Sequence, residues 1–206
     1  LNILDETELH TKQIHISQPV LLNSDIEKFK YLKEKGFDYA FINCVFEADG
    51  KTDSLEKAID LVCKAAEKAV ESGKKVLILS DKAIDIDHAP IPSLLSTGAV
   101  HHHLVKLNLR TKVGIVVEAG DVRETHHFAT LIGYGASAVY PYLAIQSIEH
   151  LQEEGRLDAD ITKEKAVSNY QEAIGYGLLK ILSKMGISTL QSYQGAQIFE
   201  ALGLHN

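Results

Sequence analysis

Val76-Leu77-Ile78-Leu79 is an uninterrupted apolar run with no polar alternation, the pattern of a parallel strand covered on both faces. Similar short runs lie at Phe37–Val45, at Val113–Val117 and near Ala138–Tyr140, so strands are expected around Phe41, Leu77, Val116 and Val139. Between them the period changes to that of a helix. Leu55, Ala58, Ile59, Val62, Ala66, Ala69 and Val70 fall on one helical face, while Glu56, Lys57, Asp60 and Lys64 fall mostly elsewhere. Asp53 and Glu56 read as a capping box at its start, and Gly73 as its end. A second helix is expected over IPSLLSTGAVHHHLVKLN, with Pro92 tolerated in its first turn. A third follows Glu118, carries Arg123, His126 and His127, and gives way to Gly133-Tyr134-Gly135.

The flanks read less regularly. Ile14 and Ile16 alternate with His15 and Ser17 as a short edge strand would, and Pro19 breaks the pattern. From Ser24, a capping residue, Ile26, Phe29 and Leu32 at near-helical spacing predict about two turns of helix stopped by Gly36. Beyond Gln152 the charged stretch EEGRLDAD reads as a linker. A long helix follows from Thr162 to Met185 with Ala166, Tyr170, Ala173, Ile174, Gly177, Leu178 and Ile181 on its apolar face, and a last short helix runs from Tyr193 to Leu202, ending at Gly203.

The fold class that results is α/β: repeated βα units forming a partial (β/α) barrel-like layer or an open parallel sheet, followed by C-terminal helices. Four strands cannot close a barrel. The chain divides into an α/β segment, residues 1–152, and a linker with helices, residues 153–206.

Composition narrows the function classes. The net charge is −7 and the 21 Lys and Arg form no basic run, which argues against nucleic acid and anionic membrane as partners. No apolar run approaches a bilayer span, and a cytoplasmic protein is expected. Cys44 and Cys63 each lie in an apolar stretch and form no CxxC pair, so they read as buried reduced thiols. The first residue is Leu, which suggests a piece of a longer protein.

Candidate chemistry gathers where strands end. Asp81 and Glu118 each follow a buried strand and would share one rim, where two carboxylates could do acid–base work or hold a metal. The preferred reading is structural: they cap turns or pair with Lys82 and Arg123. His126, one turn beyond Arg123, joins that rim on a similar helical face. His88, the triple His101-His102-His103 and His126-His127 invite a metal hypothesis, but consecutive helical residues splay about 100° apart and no HxxxH or HExxH occurs. His101 or His102, on the face of Leu94 and Val105, reads as a hydrogen-bonded core histidine. Gly133-Tyr134-Gly135 is a tight helix-to-strand connection, not a phosphate cradle. No catalytic residue and no metal ligand set is assigned.

Three stretches carry a specific likeness: IPSLLSTGAVHHHL, EAGDVRETHHFATLIGYGASAVYPYLA and NYQEAIGYGLLKILSKMGISTLQSYQGAQIFEALGL. Together they resemble the large subunit of glutamate synthase, from the later part of its central domain to the start of its flavin-binding synthase domain. The resemblance implies a parent enzyme that releases ammonia from glutamine, channels it, and adds it to 2-oxoglutarate with FMN and an iron–sulfur cluster to give glutamate. It also implies an upstream glutaminase domain and a downstream synthase domain as partners, with a small subunit or ferredoxin as electron source. The family's nucleophilic and cluster cysteines would lie outside this stretch, since Cys44 and Cys63 match neither set. Ser183–Ser188 resembles the entry to the flavin barrel, which makes Met185 and Gly186 flavin neighbours in the whole enzyme. This chain itself is then expected to bind no cofactor and to be inactive alone. Its expected role is that of a connector, with Asp81, Glu118, Arg123 and His126 shaping structure or channel rim. An independent metal-dependent barrel hydrolase using Asp81, Glu118 and the histidines is the alternative, and an interaction module a third reading. The apolar face of the long helix requires a cover, either the preceding α/β layer or a second copy in a homodimer.

Overall fold

All four expected strands pair in parallel in the computed structural model, which describes residues 13–158, 160–200 and 202. They are β1 (Tyr39–Asn43), β3 (Val76–Ser80), β5 (Gly114–Glu118) and β6 (Ala138–Tyr140), in the order β1-β3-β5-β6. Each step moves to the next neighbour in one direction, as in a stretch of (β/α) barrel, and no strand doubles back. The apolar runs explain why: every residue of β3 is buried, because both of its faces are covered.

Period-two alternation assigns those faces. Leu77, Leu79, Ile115, Val117 and Val139 point outward into a core shared with α2 (Ser54–Glu71), α3 (Ser93–Lys106) and α4 (Thr125–Gly133). Val76, Ile78, Val116, Ala138 and Tyr140 point to the inner face, which is covered by Leu21, Ile26 and Phe29 near α1 (Asn23–Lys28) and by Tyr142 and Ile145 of α5 (Tyr142–Glu153). At about 1.5–3 kcal/mol for each large aliphatic side chain fully buried, these two cores dominate the stability of the layer.

Several boundaries differ from the sequence reading. Ile14 and Ile16 form no strand. The extended piece lies just after, where the Leu21 amide donates to Val139 O and the Val139 amide to Pro19 O, so Pro19–Leu21 flanks β6. The helix after Ser24 is α1 alone, started by Asp25 accepting from the Leu22 amide at 3.1 Å, and two 3-10 turns carry the chain to Gly36. The Phe37–Val45 strand divides at Cys44, and β2 (Val45–Glu47) turns away to pair antiparallel with β4 (His88–Pro90). Asp53 makes no capping bond and instead pairs with Lys57 at 2.5 Å.

The helix α6 (Lys163–Met185) begins as expected, with Thr162 Oγ1 accepting from the Lys165 amide, and it stops at left-handed Gly186. It packs on α4 and α5, burying Ala166, Val167, Ile174, Leu178 and Leu182, while Ala173 faces solvent. The cover its stripe requires is therefore the preceding layer. The last helix, α7, is only Leu190–Tyr193, after which the chain turns at residues 194–195 and forms no regular element to residue 200; Gly203 lies outside the described residues. No helix among the described residues is long and apolar enough to cross a membrane.

Candidate functional site: the carboxyl rim of the sheet

Strand register creates a row that sequence spacing does not show. Asn43, Ser80, Glu118 and Tyr140 end β1, β3, β5 and β6 at matching positions. Ser80, Glu118 and Tyr140 share the parity of the inner-face residues Ile78, Val116 and Ala138, so this is the upper edge of the inner face, where barrels place their ligands.

Glu118 is almost wholly buried and fully engaged. The Ser80 hydroxyl donates to Oε2 at 2.5 Å, and the Lys82 ammonium reaches Oε1 at 2.8 Å. The same ammonium sits 4.9 Å from the centre of the Tyr140 ring and 4.8 Å from that of Tyr142. Asp81 is also buried. Its Oδ2 accepts from the Gly120 amide at 2.8 Å, whereas Oδ1 has no partner among the described residues. Burial pushes the Asp81 carboxyl up, opposed by the Gly120 amide and the Tyr142 phenol, and the like charges of Asp121 and Glu118 push it further up. Asp121 Oδ2 accepts from the Ser93 amide and so tethers the start of α3 to the rim.

Arg123 and His126 stand apart from this row. Arg123 is exposed, and its guanidinium pairs with no carboxylate among the described residues, contrary to the expected ion pair. Its backbone does the work: Arg123 O accepts from Tyr170 of α6 at 2.9 Å, and its amide donates to Nδ1 of His127 at 3.1 Å. The Glu124 amide donates to the same nitrogen, so His127 caps α4. That role was not read from the sequence, although His127 stands three residues after Glu124, the spacing at which a side chain reaches back to a helix start. His126 lies edge-on to Phe199 at 5.7 Å. Met185 and Gly186 end α6, and the chain beyond them bonds to Gly133 O and Ala136 O, at the amino-terminal side of β6. They are thus at the opposite end from the carboxylates. A hollow of about 700 Å3 also lies at that end, lined by Leu21, Phe29, Val76 and Val113, and it holds none of the expected site residues.

The remaining histidines are dispersed. His88 pairs with Asp85 and His103 with Glu67, each at 2.8 Å. His101 is the hydrogen-bonded core histidine: Arg110 Nε donates to its Nδ1 at 3.0 Å, while the guanidinium also donates to Val113 O and Gly135 O. Burial and the Arg110 charge lower its pKa to about 4. Its helix face differs from expectation, since Leu94 and Val105 are exposed and α3 buries Ser96, Thr97, Val100 and Leu104. Among the described residues no three His, Cys, Asp or Glu side chains converge to hold a metal. Cys44 and Cys63 are both buried, and burial pushes the Cys44 thiol up to about 12. A neutral buried thiol is a poor nucleophile.

The arrangement fits neither cofactor that the sequence likeness associates with the parent enzyme. A flavin phosphate needs cationic or backbone donors, whereas this rim presents buried carboxylates whose cation is already paired. An iron–sulfur cluster needs converging thiolates, and the two thiols here are neutral, one just after β1 and the other in α2. What remains is a closed polar latch across three strands.

A family model described as the glutamate synthase central domain matches residues 1–205. The glutamate synthase (NADPH) large chain of Bacillus subtilis is 45% identical over 203 residues, covering 98% of this chain and 13% of that protein. The glutamate synthase (NADH) of Schizosaccharomyces pombe is 41% identical over 210 residues, covering 100% of this chain and 10% of that protein. A ferredoxin-dependent glutamate synthase of Pyropia yezoensis is 42% identical, covering 98% and 14%. The chain therefore spans only about a tenth of the length of these relatives. Among solved structures, a flavocytochrome b2 variant with pyruvate bound superposes with a TM-score of 0.52 at 13% identity, covering 91% of this chain and 60% of that one. Another flavocytochrome b2 variant gives 0.53 at 16% identity, covering 90% and 46%. At such identities the likeness concerns the fold alone.

Proposed function

The chain belongs to the glutamate synthase central-domain family, and from that membership we propose that it is a connecting segment that holds the two catalytic halves of a glutamate synthase in register while ammonia passes between them. The parent enzyme would hydrolyse glutamine upstream and aminate 2-oxoglutarate reductively downstream. FMN, the iron–sulfur cluster and the electron donor, a small subunit or ferredoxin, would belong to parts of the polypeptide or assembly outside this chain.

The observation that carries the reading is the closed latch. At the position where a barrel enzyme keeps its reactive groups, Glu118 is consumed by Ser80 and Lys82 and offers no open carboxylate. A rim of this kind supports shape rather than turnover. An independent metal-dependent hydrolase using Asp81, Glu118 and the histidines is not favoured, because His88, His101 and His103 are taken by three separate partners, Asp85, Arg110 and Glu67. The exposed Arg123 guanidinium, by contrast, has no carboxylate partner among the described residues and would be open to one on another domain.

The test is Arg123→Ala in the whole large chain. It should lower glutamate formed per glutamine hydrolysed while each half reaction, assayed separately, stays near its starting rate. Equal loss of both half reactions in a folded protein would exclude a role in coupling.

A further inference from the structure

The parallel sheet has two unlike edges. At β6 the main chain of Pro19–Leu21 closes the edge, with the Leu21 amide donating to Val139 O and the Val139 amide to Pro19 O. No strand lies beyond β1 among the described residues. Asp38 O accepts from the Lys75 and Val76 amides and the Cys44 amide donates to Ser80 O, so the main-chain groups of Ala40 and Ile42, in step with these, point toward β3. Those of Tyr39, Phe41 and Asn43 alternate with them and point away. The Tyr39 amide turns back to Asp38 Oδ1 at 3.0 Å. Tyr39 O, both groups of Phe41 and the Asn43 amide have no partner among the described residues. Edge strands that face water are blunted by proline, charge, a bulge or a cover. Tyr39-Ala40-Phe41-Ile42-Asn43 has neither proline nor charge, and its register with β3 runs without a bulge. Its exposed side chain is aromatic: Phe41 is 56% exposed on the inner face beside Ile78, edge-on to Tyr39 at 5.7 Å, and Tyr39 is in turn edge-on to Phe29 at 6.3 Å.

We propose that the β1 edge is the docking site of an extended segment of the parent polypeptide that lies outside these 206 residues and adds a further strand beside Tyr39–Asn43. Free amides and carbonyls in strand geometry select an extended backbone over a helix, whose own main-chain groups are satisfied internally. The series Phe29, Tyr39 and Phe41 selects an apolar side chain where that strand passes Phe41. Size selects a tethered segment over a second copy. An edge of five residues offers far less than the roughly 1,200 Å2 that a stable interface between separate chains buries. A segment of the same polypeptide acts instead at an effective concentration on the order of millimolar, so a small contact suffices. This stretch makes up only 13% and 10% of two of the relatives above, and most of their polypeptide is therefore available to supply the strand. The proposal rests on family membership and not on the coupling role of Arg123, so either can fail alone.

The experiment is amide hydrogen exchange, read residue by residue, in the whole large chain. The Phe41 and Asn43 amides should exchange as slowly as those of Ala40 and Ile42, which face β3, roughly a hundredfold or more below the rate of unstructured chain. Unstructured rates at Phe41 and Asn43, with Ala40 and Ile42 protected, would show an edge open to water and overturn the proposal. Phe41→Val removes the ring but keeps the strand preference, so protection at Asn43 should stay within about tenfold. Its loss would reveal a cover seated on the ring alone and overturn the added strand. A p-benzoylphenylalanine placed at position 41 of the whole chain identifies the partner. Photolysis should join it to a residue of the same polypeptide outside this stretch; a cross-link within the stretch or to a second copy, or no cross-link, overturns the proposal.

Discussion

A Cβ added to Gly135 would stand 2.2 Å from Nδ1 of His101, so the helix-to-strand connection after α4 is built against an imidazole on α3. Gly135 also has φ +112, where an L side chain is strained. The pair is locked by Arg110, which bonds to the ring and to Gly135 O together. Gly135→Ala should therefore destabilise the chain by about 2–4 kcal/mol, from strain and from displacement of His101. Urea unfolding of the two proteins measures it.

His101 gives stability a pH signature. Its pKa falls from about 6.5 to about 4 on folding, through burial and the neighbouring Arg110 and His102. The unfolded chain thus binds the proton more readily, and the contribution is complete above about pH 6.5 and lost as pH falls toward 4. After allowance for solvent screening, about 1–2 kcal/mol should disappear over that window. His101→Gln, which still offers Arg110 an acceptor, should show a flatter profile between pH 7 and 4.5. Identical slopes would mean that the ring does not titrate this way.

The thiols should be silent. Burial raises both Cys44 and Cys63, and Cys44 to about 12. At pH 8 an aromatic disulfide reagent should label neither on the timescale of minutes, and both once guanidinium chloride unfolds the chain. Rapid labelling of one thiol in the native state would place it at the surface.

Gly133 forms a notch for the segment after α7. A Cβ there would lie 2.7 Å from the Phe199 ring, and the Gly195 amide donates to Gly133 O at 2.9 Å. Gly133→Ala should unseat Phe199 with little harm to the sheet, because the clash falls on a ring in the irregular segment after α7. Hydrogen exchange at the Gly195 amide should then rise at least tenfold while the amides of β5 stay protected. Unchanged exchange at Gly195 would show the notch to be incidental.

The βα rhythm was legible because buried parallel strands and amphipathic helices leave long, regular marks; β3, α2 and α6 stand close to where their apolar positions put them. The α3 face was misjudged because it buries Ser93, Ser96 and Thr97, small polar residues that give little hydrophobic period. The two rim carboxylates were found from position alone. Their partners were not all legible: Lys82 lies beside Asp81 in sequence but bonds to Glu118, and the Ser80–Glu118–Tyr140 row depends on register, which is settled only when strands pair. The short β2 and β4 left no run long enough to read, and the missing Asp53 cap was lost to a competing ion pair with Lys57.

The flank at Pro19–Leu21 bears on how the chain reaches this state. It precedes β1 yet lies beside β6, at the other edge of the sheet, and Gln171, 151 positions further on, bonds to Val20 O. Contacts of such separation carry a large loop-closure entropy, so they form late. The βα units from β1 to β6 can assemble by local steps, each strand docking on the one before. Only afterwards can the Val20 segment cross to β6 and carry Leu21 and α1 over the part of the inner face that α5 leaves uncovered. Docking of that segment over Val76, Ile78 and Val116 is accordingly expected to follow the pairing of the four strands.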